Sequence, residues 1–516
     1  MDDRFQSALA LLPDYLARHV LLSAAALALG VAIGLPLAIL LVRHARLRWP
    51  ALAAASFVQT IPGLALLALF YPLLLGLSVF TKALFGFALP ALGFLPSLLA
   101  LTLYSLLPIL RNAVAGLTGL DPAVMEAASA VGMTTRQQLF RVELPLAAPV
   151  IMAGIRTAAV WTIGAATLST AVGQTSLGNY IFTGLQTENW IYVLFGCAVV
   201  AAFAIAVDQT LGLIEAGATR RSAARIWIGA VVMAAGVVAA AVPLSASSSR
   251  TYLIGAKNFS EQFILAELIA RQLAAEGASA ERKEGLGSAV VFRALASSDI
   301  DAYVDYSGTL WANVLSRTDT PESGVMLKEL TSALAERFGV VLLGPLGFEN
   351  AYALAMRRER AAALGISSIA DLARHAGGLT FGTDLEFLSR PEWKALRDAY
   401  HLNFQAQRSY TPTFMYRAID SGDADVITAF SSDGRIAAQG LVVLTDPLHA
   451  IPSYDAILLV SPKRANDPLL ARALQPLIGK IAVERMREAN FMVDRDTDKA
   501  TPQEAASFLA RAAGLP

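Results

Sequence analysis

The chain has 516 residues, 55% of them hydrophobic and 16% charged, with a mean hydropathy of +0.53 and 41 basic against 41 acidic side chains. That length leaves room for two or three domains, and a formal net charge of zero removes any general electrostatic case for nucleic acid as a partner. The single cysteine, Cys197, excludes an intrachain disulfide and, lying in an apolar run, reads as a packed small hydrophobe.

The average conceals a division. Up to about residue 245 charges are sparse and confined to short loops, whereas from Thr251 onward charged, glycine and polar residues reach the density of a soluble domain. The lead, with Asp2 and Asp3 beside Arg4, lacks the positive start and small-residue cut site of a cleavable signal, so the first apolar run is expected to remain as a span. Runs of roughly 20 apolar residues cross a hydrocarbon core of about 30 Å. They fall near 19–43, 51–75, 91–111, 148–172, 190–214 and 226–246, which gives six expected transmembrane helices. Pro36, Pro62, Pro72 and Pro108 lie inside these runs as expected kink points. Asp208 is the one acid placed deep in a span: an intramembrane carboxylate is a functional candidate, and one near a helix end simply reaches the interface.

Basic residues orient the spans, because cytoplasmic loops are enriched in Lys and Arg. Arg43, Arg46 and Arg48 follow the first run, Arg111, Arg136 and Arg141 surround the link between the third and fourth, and Arg220, Arg221 and Arg225 precede the last. By alternation all three clusters share one side. The expected topology is an N-terminus outside, the 121–146 loop in the cytoplasm, and everything beyond the sixth span outside again, in a cell (inner) membrane.

The loop "DPAVMEAASAVGMTTRQQLFRVELPLAAP", from Asp121 to Pro149, is polar and helix-forming between apolar runs, so it lies outside lipid. Glu126, Ala127 and Ala128 are followed by Gly132 and then by Leu144 and Pro145. Small residues let another protein approach closely, and Pro145 is expected to stop the element at a fixed point. This spacing resembles the cytoplasmic coupling loop of bacterial ABC-importer permeases.

Residues 246–250, within "SASSSR", read as a short linker, and the remaining 251–516 have the size of two lobes. Strand-like and helix-like patterns alternate there, which argues for an α/β fold. "TYLIGA" reads as a strand, followed by Asn258 and Glu261 as an expected capping box with Gln262 in the first turn. "IDAYVDY", "LTFGTD" and "ADVITAFSSDG" each run an apolar strand into small polar residues, and in open α/β sheets ligands bind at these carboxyl ends. Tyr306, Thr309, Asp384, Phe430, Ser431 and Asp433 are therefore expected to line one cleft. "NAYALAM" and "SYDAILLV" place Tyr352 and Tyr454 at the starts of long apolar strands, read as the two crossings between lobes. That gives a larger lobe of 251–353 with 455–516 and a smaller lobe of 354–454. Aromatic faces around a pocket suit a quaternary ammonium, each contact contributing roughly 0.5–2 kcal/mol.

Taken in order, "KNFSEQ" (257–262), "DYSGT" (305–309), "ENAYALAM" (349–356), "FLSRP" (387–391), "FSSDGRI" (430–436) and "PSYDAILL" (452–459) resemble the binding proteins of osmoprotectant importers of the glycine betaine, choline and carnitine class. The first half resembles the same importers' permease subunit. The resemblance implies a membrane domain of ABC-importer permease type fused to a two-lobed type II periplasmic-binding-protein-like domain. It implies an aromatic cage at Tyr306, Tyr352, Phe430 and Tyr454, polar contacts from Gln262 and Thr309, and further ligand-binding positions at Asn350, Ser431 and Asp433. Two departures stand out: Phe430 replaces the family's usual tyrosine, and Pro391, Glu392 and Trp393 follow Arg390 where an Asp-Gly pair is usual. Arg390 is either a bidentate partner for a ligand carboxylate or a surface arginine at a turn. Fused members also include ergothioneine transporters, so that ligand stays open.

No stretch fits G-x-x-x-x-G-K-[ST]; Gly479-Lys480 lacks both the earlier glycine and the following hydroxyl. The expected partners are thus a separate cytoplasmic ATPase docked on Glu126, Ala127, Ala128, Gly132, Leu144 and Pro145, a second copy of the chain, and a small betaine-like solute. No cofactor is called for, and five scattered histidines give no metal-ligand spacing. The expected function is solute capture and passage in an ATP-driven importer. A membrane-tethered sensor or ligand-gated channel is the alternative of another class, and a membrane-anchored enzyme finds no catalytic constellation.

Overall fold

Apolar runs interrupted by proline and glycine decide where each helix begins and ends. The structure is a computed structural model that describes residues 3–86, 89–187, 189–245, 251–317, 319–448, 450–495 and 497–515. It divides into two compact units, Met1–Phe182 with Ile191–Ser248, and Thr183–Trp190 with Ser249–Pro516. The expected linker, 246–250, lies outside the described residues.

The first unit is helical: α1 (Asp3–Arg43), α2 (Ala45–Thr60), α3 (Gly63–Phe85), α4 (Phe94–Thr118), α5 (Pro122–Ala130), α6 (Thr135–Gln138), α7 (Leu144–Ala166), α8 (Gly178–Gln186), α9 (Trp190–Thr219) and α10 (Ala223–Ser245). Six described segments are long and apolar enough to cross a membrane: Phe5–Arg43, Gly63–Phe85, Phe94–Thr118, Thr135–Val172, Trp190–Thr219 and Ala223–Val242. The second differs from the expected 51–75. A residue before proline is driven out of the helical region, and Ile61 accordingly takes φ −71°, ψ 125° ahead of Pro62, which caps α3 instead of kinking a longer helix. The break leaves α2 too short, at 16 residues, to cross alone. Pro36, Pro72 and Pro108 do lie inside helices. Cys197 is exposed on α9 rather than packed, because an apolar run in a membrane helix is apolar on all sides.

Close helix packing rests on small residues. A Cβ on Gly30 would sit 1.9 Å from Ser105 Oγ, and one on Gly154 would sit 2.6 Å from Asn112 Cβ and 2.8 Å from the Pro108 carbonyl, so α1 and α7 approach α4 nearly backbone to backbone. Charges also join α7 to α9. Arg156 on α7 donates to both Asp208 oxygens at 2.9 and 2.8 Å and to Glu215 at 2.7 Å, all on α9, so Asp208 is a helix-to-helix tie.

In the polar loop, Asp121 caps α5 by accepting from the Ala123 N–H at 2.9 Å, and Gly132 turns the chain at φ +76°. Thr134 and Gln137 form a capping box at α6. Pro145 starts α7 rather than stopping the element, since the first turn of a helix does not need its N–H. A π-helical turn, Leu139–Glu143, precedes it, with the Leu144 N–H on the Leu139 carbonyl. Glu143 is buried and takes both its bonds from Arg43 Nη2, at 2.6 and 2.8 Å, which fixes the end of this loop to the end of α1. Glu126, Ala127 and Gly132 are exposed, as are Val124, Val131 and Phe140, while Ala128 is buried.

The second unit is α/β with two five-stranded sheets. One orders β2-β1-β3-β10-β4, from β1 (Thr251–Lys257), β2 (Ser279–Leu286), β3 (Ala302–Tyr306), β4 (Val341–Glu349) and β10 (Asp455–Val460). The other orders β7-β6-β8-β5-β9, from β5 (Tyr352–Arg357), β6 (Thr380–Thr383), β7 (Ala406–Ser409), β8 (Val426–Phe430) and β9 (Leu441–Val443). Helices α11 (Ser260–Ala275), α12 (Ser288–Ala296) and α13 (Ser307–Asn313) follow β1, β2 and β3. The sheets are linked by Asn350–Ala351 going out and by the stretch between β9 and β10 coming back.

Replacing Gly154 with alanine is expected to destabilise the helical unit by about 1–3 kcal/mol through overpacking. Gly164→Ala, where a Cβ meets nothing within 4 Å, serves as the control. Thermal unfolding of detergent-solubilised protein reads the difference.

Candidate functional site

Antiparallel pairing is what gathers the aromatics. Because β5 runs against β8 with Tyr352 opposite Phe430, the start of one strand lies beside the end of the other. The same holds in the first sheet, where Ala456 on β10 faces Tyr306 on β3 and so sets Tyr454 near that strand's end. The Tyr352 ring centroid lies 5.0 Å from Phe430, 5.7 Å from Tyr454 and 4.8 Å from Phe387. Phe259 closes the arc, stacked on Phe430 at 5.7 Å with planes 5° apart and 6.2 Å from Tyr306. The sequence reading missed Phe259, although it follows the end of β1 as the other rings follow or precede their strands.

Phe259, Tyr306, Tyr352, Phe430 and Tyr454 line one cavity together with Lys257, Asn258, Ser288, Thr309, Asn350, Asp384, Glu386 and Arg390, with Phe387 packed behind Tyr352. Thr309, Asn350 and Arg390 therefore sit where expected, and three other expected residues do not. Gln262 is buried behind Tyr306, donating to its hydroxyl at 2.9 Å and accepting from the Lys257 N–H at 3.3 Å. Ser431 accepts from the Ala351 N–H at 2.9 Å and donates to the Glu349 carbonyl, clasping the outward link between the sheets. Asp433 is held by Arg435 at 2.7 Å and lines a second, smaller cavity that shares Phe259, Asn350 and Phe430 with the first.

Glu261 is not half of a capping box. Phe259 occupies the N-cap of α11 without a side-chain bond, which turns Glu261 inward, where it is 3% exposed. Its carboxylate accepts from the Tyr306 hydroxyl at 2.6 Å, Asn350 Nδ2 at 2.9 Å, the Ser432 hydroxyl at 2.5 Å and Asn490 Nδ2 at 2.8 Å. Burial pushes its pKa up, and these four donors pull it back. Arg390 is no surface residue: at 4% exposure it donates to Glu392 at 2.8 Å, Glu386 at 3.0 Å and Thr309 at 3.2 Å, with its guanidinium 4.9 Å from the Tyr352 ring centroid. Glu392 also accepts from the Tyr454 hydroxyl, so the departure after Arg390 puts a buried carboxylate behind two residues of the cleft. Lys257 is answered by Asp305 at 2.5 Å.

A multi-pass helical unit joined to a two-sheet α/β unit, with strand ends gathered into an aromatic pocket, defines a membrane transport component that carries its own solute receptor. Residues 250–511 match the family described as the substrate-binding domain of an ABC-type glycine betaine transport system, and residues 30–220 match the binding-protein-dependent transport system inner membrane component. The first match spans half of the chain, which belongs to that family as a permease-plus-receptor fusion of the osmoprotectant ABC-importer class. It is 29% identical over 460 residues, 86% of this chain and 80% of the relative, to the ergothioneine transport permease/ergothioneine binding protein EgtU of Helicobacter pylori (strain G27). It is 39% identical over 197 residues, 38% of this chain and 83% of the relative, to the choline transport system permease protein OpuBB of Bacillus subtilis (strain 168). A crystal structure of a glycine betaine/carnitine/choline ABC transporter aligns with 24% identity over 50% of this chain and 97% of that one, with a TM-score of 0.44. The chain is a transporter subunit and not itself an enzyme.

Removing the Glu261 carboxylate strands four buried donors, so Glu261→Ala is expected to cost roughly 3–5 kcal/mol of stability, read by chemical denaturation. A second outcome concerns pH. Burial pushes the Asp494 carboxyl up to about 6, against the opposing pull of Arg435 3.7 Å away. With an unfolded value of about 3.9, the folded state holds more protons across that window. Stability through this group therefore falls as pH rises from about 4 to about 6. Asp494→Asn is expected to flatten that slope in melts taken across the range.

Proposed function

We propose that this chain captures a quaternary ammonium or betaine-type solute, of the glycine betaine, choline or carnitine kind, and passes it through its helical unit in an ATP-driven importer. The observation that carries the reading is the arc of five rings, Tyr306, Phe259, Phe430, Tyr352 and Tyr454, around one cavity. Ring faces attract a cation that has no N–H to donate. Arg390, Thr309 and Asn350 supply the polar contacts, while Gln262, Ser431 and Asp433 act behind the rings. Likeness to the Helicobacter pylori ergothioneine protein over 86% of this chain supports ergothioneine, itself a betaine, as a second candidate.

Because β5 of the second sheet begins at Tyr352, the larger lobe is 251–349 with 455–516 in place of the expected 251–353 with 455–516, and the smaller lobe, built on the second sheet, begins at 352. The two close on the solute through Asn350–Ala351 and the return stretch. The basic clusters support a receptor on the outer face and the 121–146 loop in the cytoplasm. A separate ATPase docks on the exposed face of that loop at Glu126, Ala127 and Gly132, and the Arg43–Glu143 pair carries its movement to α1. The described residues of one chain hold six candidate spans, so two copies pair around the path.

Tyr352→Ala is expected to weaken solute binding by about 1–2 kcal/mol, roughly 5- to 30-fold, in calorimetry with choline, glycine betaine, carnitine, proline betaine and ergothioneine. Binding of none of them, with tight binding of an uncharged sugar instead, would sink the reading. Deleting 126–145 should abolish uptake in cells that hold the cognate ATPase; accumulation that persists would rule out the docking role.

A further inference from the structure

One carboxylate in the cavity lining has an oxygen that no donor satisfies. Asp384, at the end of β6, is 7% exposed and lines the cavity. Its Oδ1 accepts from the Phe387 N–H at 2.8 Å and caps the helix Leu385–Ser389, whereas its Oδ2 has no partner. Glu392, which lies outside the lining, instead spends one oxygen on Arg390 and Tyr454, two residues that do line the cavity.

Charge points the same way. Lys257 and Arg390 are the cavity's cations, and each is already matched, Lys257 by Asp305 and Arg390 by Glu392 and Glu386. Asp384 forms no ion pair of its own among the described residues; burial raises its carboxyl above the ordinary value, although the charge of Arg390 acts on it through space in the opposite sense. An unmatched buried carboxylate is costly unless something entering the cavity supplies both positive charge and a hydrogen bond. A quaternary nitrogen supplies the charge but no donor.

Resting on the function proposed above, we propose that Asp384 accepts a hydrogen bond from an O–H or N–H carried by the solute beside its quaternary nitrogen. The cleft thereby selects donor-bearing cations over donor-free glycine betaine. Choline, with its hydroxyl, and ergothioneine, with its ring N–H, belong to the favoured class. Glycine betaine carries a carboxylate, as ergothioneine does, but no O–H or N–H to offer Asp384 in return.

The test measures affinities of the full chain in lipid nanodiscs for choline, choline methyl ether and glycine betaine, in the wild type and in Asp384→Asn. Asparagine keeps an oxygen for the helix cap, so the fold is retained, and it turns part of the acceptor into a donor. The expected result is choline binding about tenfold or more tighter than its methyl ether in the wild type. In Asp384→Asn that ratio should fall toward one and glycine betaine should gain. Equal binding of choline and its ether to the wild type, or a ratio unchanged by Asp384→Asn, would overturn the assignment while leaving the cation-binding reading intact. If none of the three cations, nor ergothioneine, binds the wild type, both readings fall together.

Discussion

The receptor half depends on one buried carboxylate. Glu261 takes hydrogen bonds from Tyr306 at the end of β3, Asn350 in the link between the sheets, Ser432 just past β8 and Asn490 on the helix Val483–Asp494. Each of those donors belongs to a different part of the chain; Tyr306 is a ring of the aromatic arc and Asn350 lines the same cavity. A charge removed from water needs several good donors to offset its desolvation. Here the donors are supplied by the segments whose relative position defines the pocket, so satisfying the charge and placing the rings are the same event. Gln262, the next residue, adds to this by holding the Tyr306 hydroxyl from behind.

The helical half solves a different problem with related means. In lipid, apolar contact gives helices little reason to associate, and close approach through small residues together with polar ties does that work. Gly30 and Gly154 let α4 lie against α1 and α7, and Arg156 joins α7 to α9 through Asp208 and Glu215. Glu143, buried at the end of the polar loop, is held by Arg43. The loop thus presents an exposed surface at α5 and a rigid attachment at its far end.

Much of this was legible in the sequence. Strand ends bearing Tyr306, Tyr352, Phe430 and Tyr454 could be found because alternation and small polar residues mark where strands stop. The polar loop between apolar runs could be found because lipid excludes it. What escaped was geometry that local pattern leaves undetermined. Asn258 and Glu261 have capping-box spacing, yet Phe259 takes the N-cap position and Glu261 turns inward to donors that come from residues 306, 350, 432 and 490. Ser431 and Asp433 follow the same strand end as Phe430 but point to a backbone clasp and to Arg435. Arg390 stayed open between a ligand partner and a surface residue because nothing in the local pattern shows that Glu392 and Glu386 face it. Pro62 and Pro145 were both given the wrong task, since a proline breaks, bends or begins a helix depending on how the preceding residues are paired.

Permease and receptor lie on one polypeptide, and this bears on how such a carrier responds to demand. A free receptor can be made in excess over its pore, so that its abundance tunes the rate of delivery. Covalent joining fixes the ratio at one receptor per permease domain and replaces a diffusional search by a local concentration set by the connecting segment. Scavenging capacity then rises only with the number of whole carriers in the membrane. At low external solute, the affinity of the cleft, not the supply of receptors, sets how much is caught.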